Sequence, residues 1–231
     1  RLYAGKPVVI KPKSTNFGLG ITILKHNYDE TDFKAALQIA FEHDNTLLIE
    51  KFIPGREFRI FIINDEVVGI LHRVPANVTG DGVLNIGQLI DMKNEDPLRG
   101  KGYRTPLEKI RKGREEEMFL KQQGMDFNTV PKEREVVYLR ENSNISTGGD
   151  SIDFTDDIDD SYKAIAVEAA KALNVKITGL DMMIQDIHAP ATPDNYAIIE
   201  MNFNPAIHIH CYPFKGKNRH LNHKMIRALG F

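Results

Sequence analysis

Asp181, Glu200 and Asn202 carry the first chemical signal in this sequence. Asp181 sits between Leu180 and Met182 in ITGLDMMI (177–184), a run that reads as a strand, so its carboxylate faces away from those apolar neighbours. Glu200 and Asn202 stand two apart in YAIIEMN (196–202) and share one face of a second strand. If the strands pair, two carboxylates and an amide oxygen converge. Such hard donors suit Mg2+ or Mn2+ bridging phosphate groups. An edge strand showing polar residues to solvent is the bland reading. The Ala197-Ile198-Ile199 run ahead of Glu200 favours acids at the end of a buried strand.

A second signal is Lys11, at the end of the apolar run PVVIK and before Ser14, Thr15, Asn16, Phe17, Gly18, Leu19 and Gly20. Small residues let backbone N–H groups turn inward, and a fixed lysine adds positive charge, which is what a phosphate site requires. The stretch is neither a Walker loop nor a dinucleotide fingerprint, and a plain hairpin turn fits it too. Third, Glu50 and Glu57 bracket Lys51-Phe52-Ile53-Pro54-Gly55-Arg56. A strand running into a tight turn can offer backbone groups to a base edge and a carboxylate to ribose hydroxyls; an ordinary hairpin does so equally on spacing alone.

The elements that must hold these residues follow from periodicity. Residues 7–11 and 20–24 read as a hairpin, and 30–43 as a helix with Thr31 as N-cap. Residues 47–55, 57–64 and the VVGILHRVPA run continue as strands around the turn Asn64-Asp65-Glu66. A short helix is expected at 85–93, an exposed amphipathic one at 106–124, a polar loop over 139–160, a helix at 161–173 and a last helix from Leu221. The spacing predicts a mixed α+β fold.

Composition narrows the function classes. A net charge of −2 gives no reason to expect nucleic acid or an anionic membrane as partner. No apolar run reaches the ~18 residues of a membrane span. One cysteine, Cys211, forms no internal disulfide, which suits the cytoplasm, and it reads as a packing residue. His208 and His210 lack further ligands at zinc spacing. The chain opens almost directly into a strand and reads as part of something longer.

Taken in order, the lysine strand, glycine-rich loop, Glu-x-x-Ile-x-x-x-Glu hinge, Asp181 and Glu200-x-Asn202-x-Asn204-Pro205 resemble the ATP-grasp superfamily from Lys11 to Pro205. The resemblance implies two α+β subdomains gripping ATP between antiparallel sheets: a lid over 1–72, and 73–231 carrying the metal and substrate site, with an N-terminal part and a second phosphate lysine lying outside this sequence. It implies that Lys11 contacts the phosphates, residues 14–20 close over them, Glu50, Lys51, Phe52 and Ile53 read adenine, and Glu57 holds the ribose. Asp181, Glu200 and Asn202 would bind two magnesium or manganese ions. Gly179 stands where the D-alanine ligase branch has an arginine; Arg59 or Arg73 would replace its charge at the reacting phosphoryl group, or be surface arginines.

KPKSTNFGLGI, GDGVLNIGQLI and LRENSNISTGGDSIDFTD look like the glutathione-synthetase module fused behind a glutamate–cysteine ligase. That likeness implies an ADP-forming ligase joining γ-glutamylcysteine to glycine through an acylphosphate, in a longer chain, and is compatible with a homodimer. Asn144, Ser146, Thr147, Gly148 and Gly149 would cradle the substrate, with amides from the Gly-Gly pair; a solvent loop is the alternative. A cyanophycin-synthetase-like ligase and a non-catalytic ATP-binding regulatory domain are the rival functions.

Overall fold

The computed structural model describes residues 5–15, 19–25 and 28–230. Two compact units divide between Pro54 and Gly55. In the first, β1 (Val8–Pro12) is the middle strand of an antiparallel sheet between β2 (Thr22–Leu24) and the later β3 (Leu47–Lys51). Helix α1 (Glu30–Phe41) covers one face, burying Ala36 and Ala40 against Val8 and Ile10. The cap lies two residues earlier than expected. Asp29, not Thr31, is its N-cap and accepts from the N–H groups of Thr31 and Asp32, while Asp32 accepts from Asp29 N.

The second unit begins with β4 (Arg56–Ile63) and β5 (Glu66–Val74). After them come β6 (Asn77–Thr79), α2 (Ile86–Lys93), β7 (Arg99–Gly100), β8 (Leu107–Glu108), α3 (Arg114–Gln122), β9 (Val136–Tyr138) and β10 (Asp150–Asp153). The chain ends with α4 (Asp160–Ala172), β11 (Ile177–Ile184), β12 (Tyr196–Asn202), α5 (His208–Cys211) and α6 (Leu221–Ala228). The main sheet is antiparallel with order β10-β5-β4-β11-β12. This pairing places the boundary between units earlier than the expected 72/73. Strands β4 and β5 are bonded to β11 and β10, so residues 55–72 belong to the second unit.

Side-chain alternation gives the sheet two different faces. Phe58, Ile60, Ile62, Leu180, Met182 and Ile184 point to α4, where Tyr162, Ala166 and Ala170 complete the core. Phe61 and Ile63 point the other way, against Cys211 and Leu221 of α5 and α6. A third cluster gathers Ile86, Leu89 and Ile90 of α2 with Ile110, Leu120 and Val137.

Two expectations fail for long-range reasons. The amphipathic helix covers only 114–122, because Leu107 and Glu108 pair with β7 and Gly113 forms the cap, its N–H bonded to Glu116. The polar loop over 139–160 contains β10, which pairs with β5. Leu180 is fully buried between β4 and α4. Leu180→Ala should lower unfolding free energy by about 2–5 kcal/mol, read as a shifted denaturant midpoint.

Candidate active site

The second unit gathers charge on the sheet face opposite α4. Arg59, Asp181 and Glu200 are direct cross-strand partners, and Glu57 and Arg73 lie in the adjacent row. Arg59 holds Asp181 through two bonds, Nε to Oδ1 and Nη2 to Oδ2, the latter 2.9 Å. Arg73 Nη2 also donates to Asp181 Oδ2 at 2.9 Å and pairs with Glu57. Ser143 Oγ donates to Glu57 Oε2 at 2.6 Å. Asp181 and Arg59 are buried, and Glu57 is half-buried. The two guanidinium groups and two carboxylates neutralise one another, as burial requires.

Glu200 reaches this face by an irregularity that alternation alone does not reveal. The β11–β12 register pairs Asp181 with Glu200 but Met182 with Ile198, leaving Ile199 as an extra residue. This bulge shifts the phase of β12. Without it, Glu200 would share the face of Ile198 and Tyr196, whose ring packs into the α4 core. With it, Glu200 stands beside Asp181, and Asn202 pairs with Gly179. Asn202 Nδ2 donates to Glu200 Oε1 at 3.1 Å. The expected convergence of Asp181, Glu200 and Asn202 is therefore present on the backbone. The expected burial is not: β12 is the sheet's edge strand, and Ile198, Ile199 and Glu200 are exposed.

As a cation site the donor set fits in part. A carboxylate offers about four acceptor positions, and the arginines occupy three on Asp181. Glu200, open to solvent, and the Asn202 amide oxygen remain for a hard cation. Among the described residues no three His, Cys, Asp or Glu side chains group as a metal cage.

The glycine pair plays a different part from the one expected. Gly148 N donates to Ile145 O at 3.1 Å and Gly149 N to Asn144 O at 3.2 Å, so neither amide is offered to a substrate. The glycines serve close packing instead. Gly148 has φ +93°, and a Cβ there would sit 2.8 Å from Ile110 Cα; one on Gly149 would meet Val74 O at 2.8 Å. Thr147 Oγ1 bonds Asn142 Oδ1 and Asn144 O, each at 2.9 Å. The side chains of Asn144 and Ser146, half-buried and without bonding partners among the described residues, are the groups this turn leaves available.

Sequence reasoning missed the cluster that fixes the turn. Arg99, buried, pairs with Asp150 and donates to Glu108 O at 2.8 Å and Gly148 O at 3.0 Å. Lys93 Nζ reaches Asp150 Oδ2 at 2.7 Å, Asn77 O at 2.9 Å and Asn77 Oδ1 at 3.1 Å. Both cations lie over the Phe214 ring. Burial draws both below their ordinary pKa values, with Asp150 opposing it. The one local hint was Asp150 directly after Gly-Gly; nothing near Arg99 or Lys93 marks them.

In the first unit, Lys11 Nζ pairs with Glu50 Oε2 at 2.6 Å across β1 and β3, joining the expected phosphate and adenine residues to each other. Ser14 N donates to Asp44 Oδ2 at 2.8 Å, and Thr15 Oγ1 to Leu19 O at 3.0 Å. Gly20 has φ +75°, with Pro12 and His43 each 2.7 Å from where a Cβ would stand. Asn16, Phe17 and Gly18 lie outside the described residues. Phe52 N donates to Pro7 O at 3.0 Å, Ile53 is half-buried and Lys51 is exposed.

His210 is fully buried, its ring edge-on to Phe61, with neither ring nitrogen bonded among the described residues. Burial, reinforced by the charge of Arg59, pushes its pKa down to about 3. The unfolded chain takes this proton near pH 6.5 and the folded one only near 3, so stability falls as pH drops through that window. His72, held down to about 4 by burial, adds in the same direction. His210→Leu should flatten the pH dependence of unfolding free energy between pH 6 and 4 by up to about 1.4 kcal/mol per pH unit, measured by urea titrations at several pH values.

Comparisons with known proteins agree with this architecture. The family described as D-ala D-ala ligase C-terminus matches residues 3–88. The chain is 63% identical over 229 residues to the glutathione biosynthesis bifunctional protein GshAB of Desulfotalea psychrophila, covering 99% of this chain and 29% of that protein. It is 57% identical to the protein of the same name from Clostridium perfringens, again over 99% of this chain and 29% of the relative. The crystal structure of a bifunctional glutathione synthetase from Pasteurella multocida matches 98% of this chain and 31% of its own with 47% identity and a TM-score of 0.75. The chain thus spans less than a third of the length of these relatives.

Proposed function

We propose that this chain, whose fold is that of the bifunctional glutathione synthetase it matches, is the phosphoryl-handling part of a longer ATP-grasp ligase that makes glutathione from γ-glutamylcysteine and glycine. The observation that carries the reading is the neutral Glu57–Arg73–Asp181–Arg59 cluster with Glu200 and Asn202 beside it. Its relatives' names support the choice of product.

Amide formation from a carboxylate needs a better leaving group than oxide. The acid's oxygen attacks the terminal phosphorus of ATP, and the bond to the ADP oxygen breaks. The amine nitrogen then attacks the acyl carbon, and inorganic phosphate departs with the C–O electron pair as the nitrogen loses a proton. Negative charge crowds around the phosphoryl group in the first step and the acyl oxygen in the second. Arg59 and Arg73 are the fixed cations for both, already aimed by the carboxylates beneath them. Glu200, Asn202 and the remaining acceptor position of Asp181 would hold magnesium or manganese, which neutralises phosphate oxygens when bound. Lys11, the 14–20 loop, Glu50 and residues 51–53 are assigned to the nucleotide, and Asn144 and Ser146, in the turn that Thr147 braces, to the acid substrate.

Phosphate release from Mg-ATP by the full-length protein should require both γ-glutamylcysteine and glycine. Asp181→Asn should reduce it by about 10²-fold or more. Stimulation by aspartate and arginine instead would reassign the protein to a cyanophycin-like ligase. Tight nucleotide binding with no turnover on either substrate set would leave only a regulatory domain.

A further inference from the structure

Ser143 lies at the junction between the charged cluster and the turn assigned to the acid substrate. It is buried, and its hydroxyl is bonded to Glu57 Oε2 at 2.6 Å. Glu57 passes the connection to Arg73, and Arg73 to Asp181 at 2.9 Å. Behind Ser143 the turn is closed on itself. Asn142 Oδ1 accepts from Asn144 N at 3.4 Å and Thr147 Oγ1 at 2.9 Å, while Asn144 O accepts from Gly149 N at 3.2 Å. Arg99 clamps the far end through Gly148 O. A turn braced internally and anchored at the Gly148 end is tied at its other end by the Ser143–Glu57 bond.

We propose that Ser143 is a positioning residue that couples the 142–149 turn to nucleotide binding through Glu57. This rests on Glu57 being a nucleotide ligand and the turn being the seat of the acid substrate. Arg73 and Ser143 each take one acceptor position on Glu57, leaving about two for ribose hydroxyls. Serine thereby fixes which way the carboxylate faces. A nucleotide that orders Glu57 orders Ser143 with it, and the braced turn follows. Occupancy of one substrate then preorganises the seat of the other, which is a coupling free energy between two sites.

The test is amide hydrogen exchange on the full-length protein with saturating magnesium and a non-hydrolysable ATP analogue. In the wild type the nucleotide should slow exchange over 142–149 by about fivefold or more. In Ser143→Ala, at saturating analogue, the turn should exchange as it does without nucleotide, and Ser143→Thr should restore the slowing. Exchange in α4, remote from the turn, reports that each variant is folded. Slowing as large in Ser143→Ala as in the wild type, or none in the wild type, overturns the proposal. Ligase turnover is followed in the same preparations. Protection without γ-glutamylcysteine turnover removes the substrate reading alone; turnover without protection removes the coupling alone.

Discussion

A buried carboxylate must be neutralised where it stands, and in this protein that constraint falls on Asp181. Two guanidinium groups meet it, and each has its own alternatives to consider. Arg59 is committed to Asp181 through two bonds, whereas Arg73 divides itself between Asp181 and Glu57. Removing one partner from such a group would strand a buried charge, at a cost of about 3–5 kcal/mol. The sheet is what makes the arrangement affordable: the partners come from β4, β5 and β11, hydrogen-bonded neighbours whose register places the side chains without loop entropy to overcome.

The same sheet separates stability from chemistry. Its α4 face is mostly apolar from Phe58 to Ile184, with His72 and Thr178 as the polar exceptions, so the strands are held by packing that does not involve the Asp181 cluster. The opposite face can then carry groups chosen for reactivity. The Ile199 bulge is the local device that adds an edge-strand residue to this face, turning Glu200 away from the core side. Arg99 and Asp150 extend the logic to the 142–149 turn, which has little apolar surface to hold it and relies on a buried ion pair and a cation–π contact instead.

What the sequence disclosed and what it hid divide along local and long-range lines. The alternation around Asp181, the apolar period of α4 and the β1–β2 hairpin depend on neighbours within a few residues, and they were legible. The bulge was not, because an extra residue in β12 has meaning only against the register of β11. The break at Pro54 was misplaced because the hinge reads as continuous with β4 until β4 is seen to pair with β11. Strand β10 hid in a polar stretch because Asp150, Ser151 and Asp153 find their partners far away, in Arg99, Phe214 N and Arg219. The Gly-Gly pair misled for a related reason. Glycine marks either an offered amide or a close approach, and only the positions of Ile110 and Val74 decide between them.

On the proposed function, charge balance in the cluster would also constrain the order in which ligands enter. Glu57, Asp181, Arg59 and Arg73 sum to no formal charge, leaving Glu200 as the one uncompensated charge of the unliganded site. A dication entering alone beside Glu200 would compete with two arginines for Asp181 and leave a buried excess of positive charge. A polyphosphate entering alone would draw the arginines off their carboxylates and leave an excess of negative charge. If both entered together, the cation would take free carboxylate oxygens while the guanidinium groups shared themselves with phosphate, and each buried charge would keep a partner. The half-buried position of Glu57 and Arg73 suits that exchange, since both can shift toward a ligand without crossing the core. The arginines are thus the pivot of the proposed site: they hold the carboxylates in the structure, and they would be the cations of this face nearest an arriving phosphate.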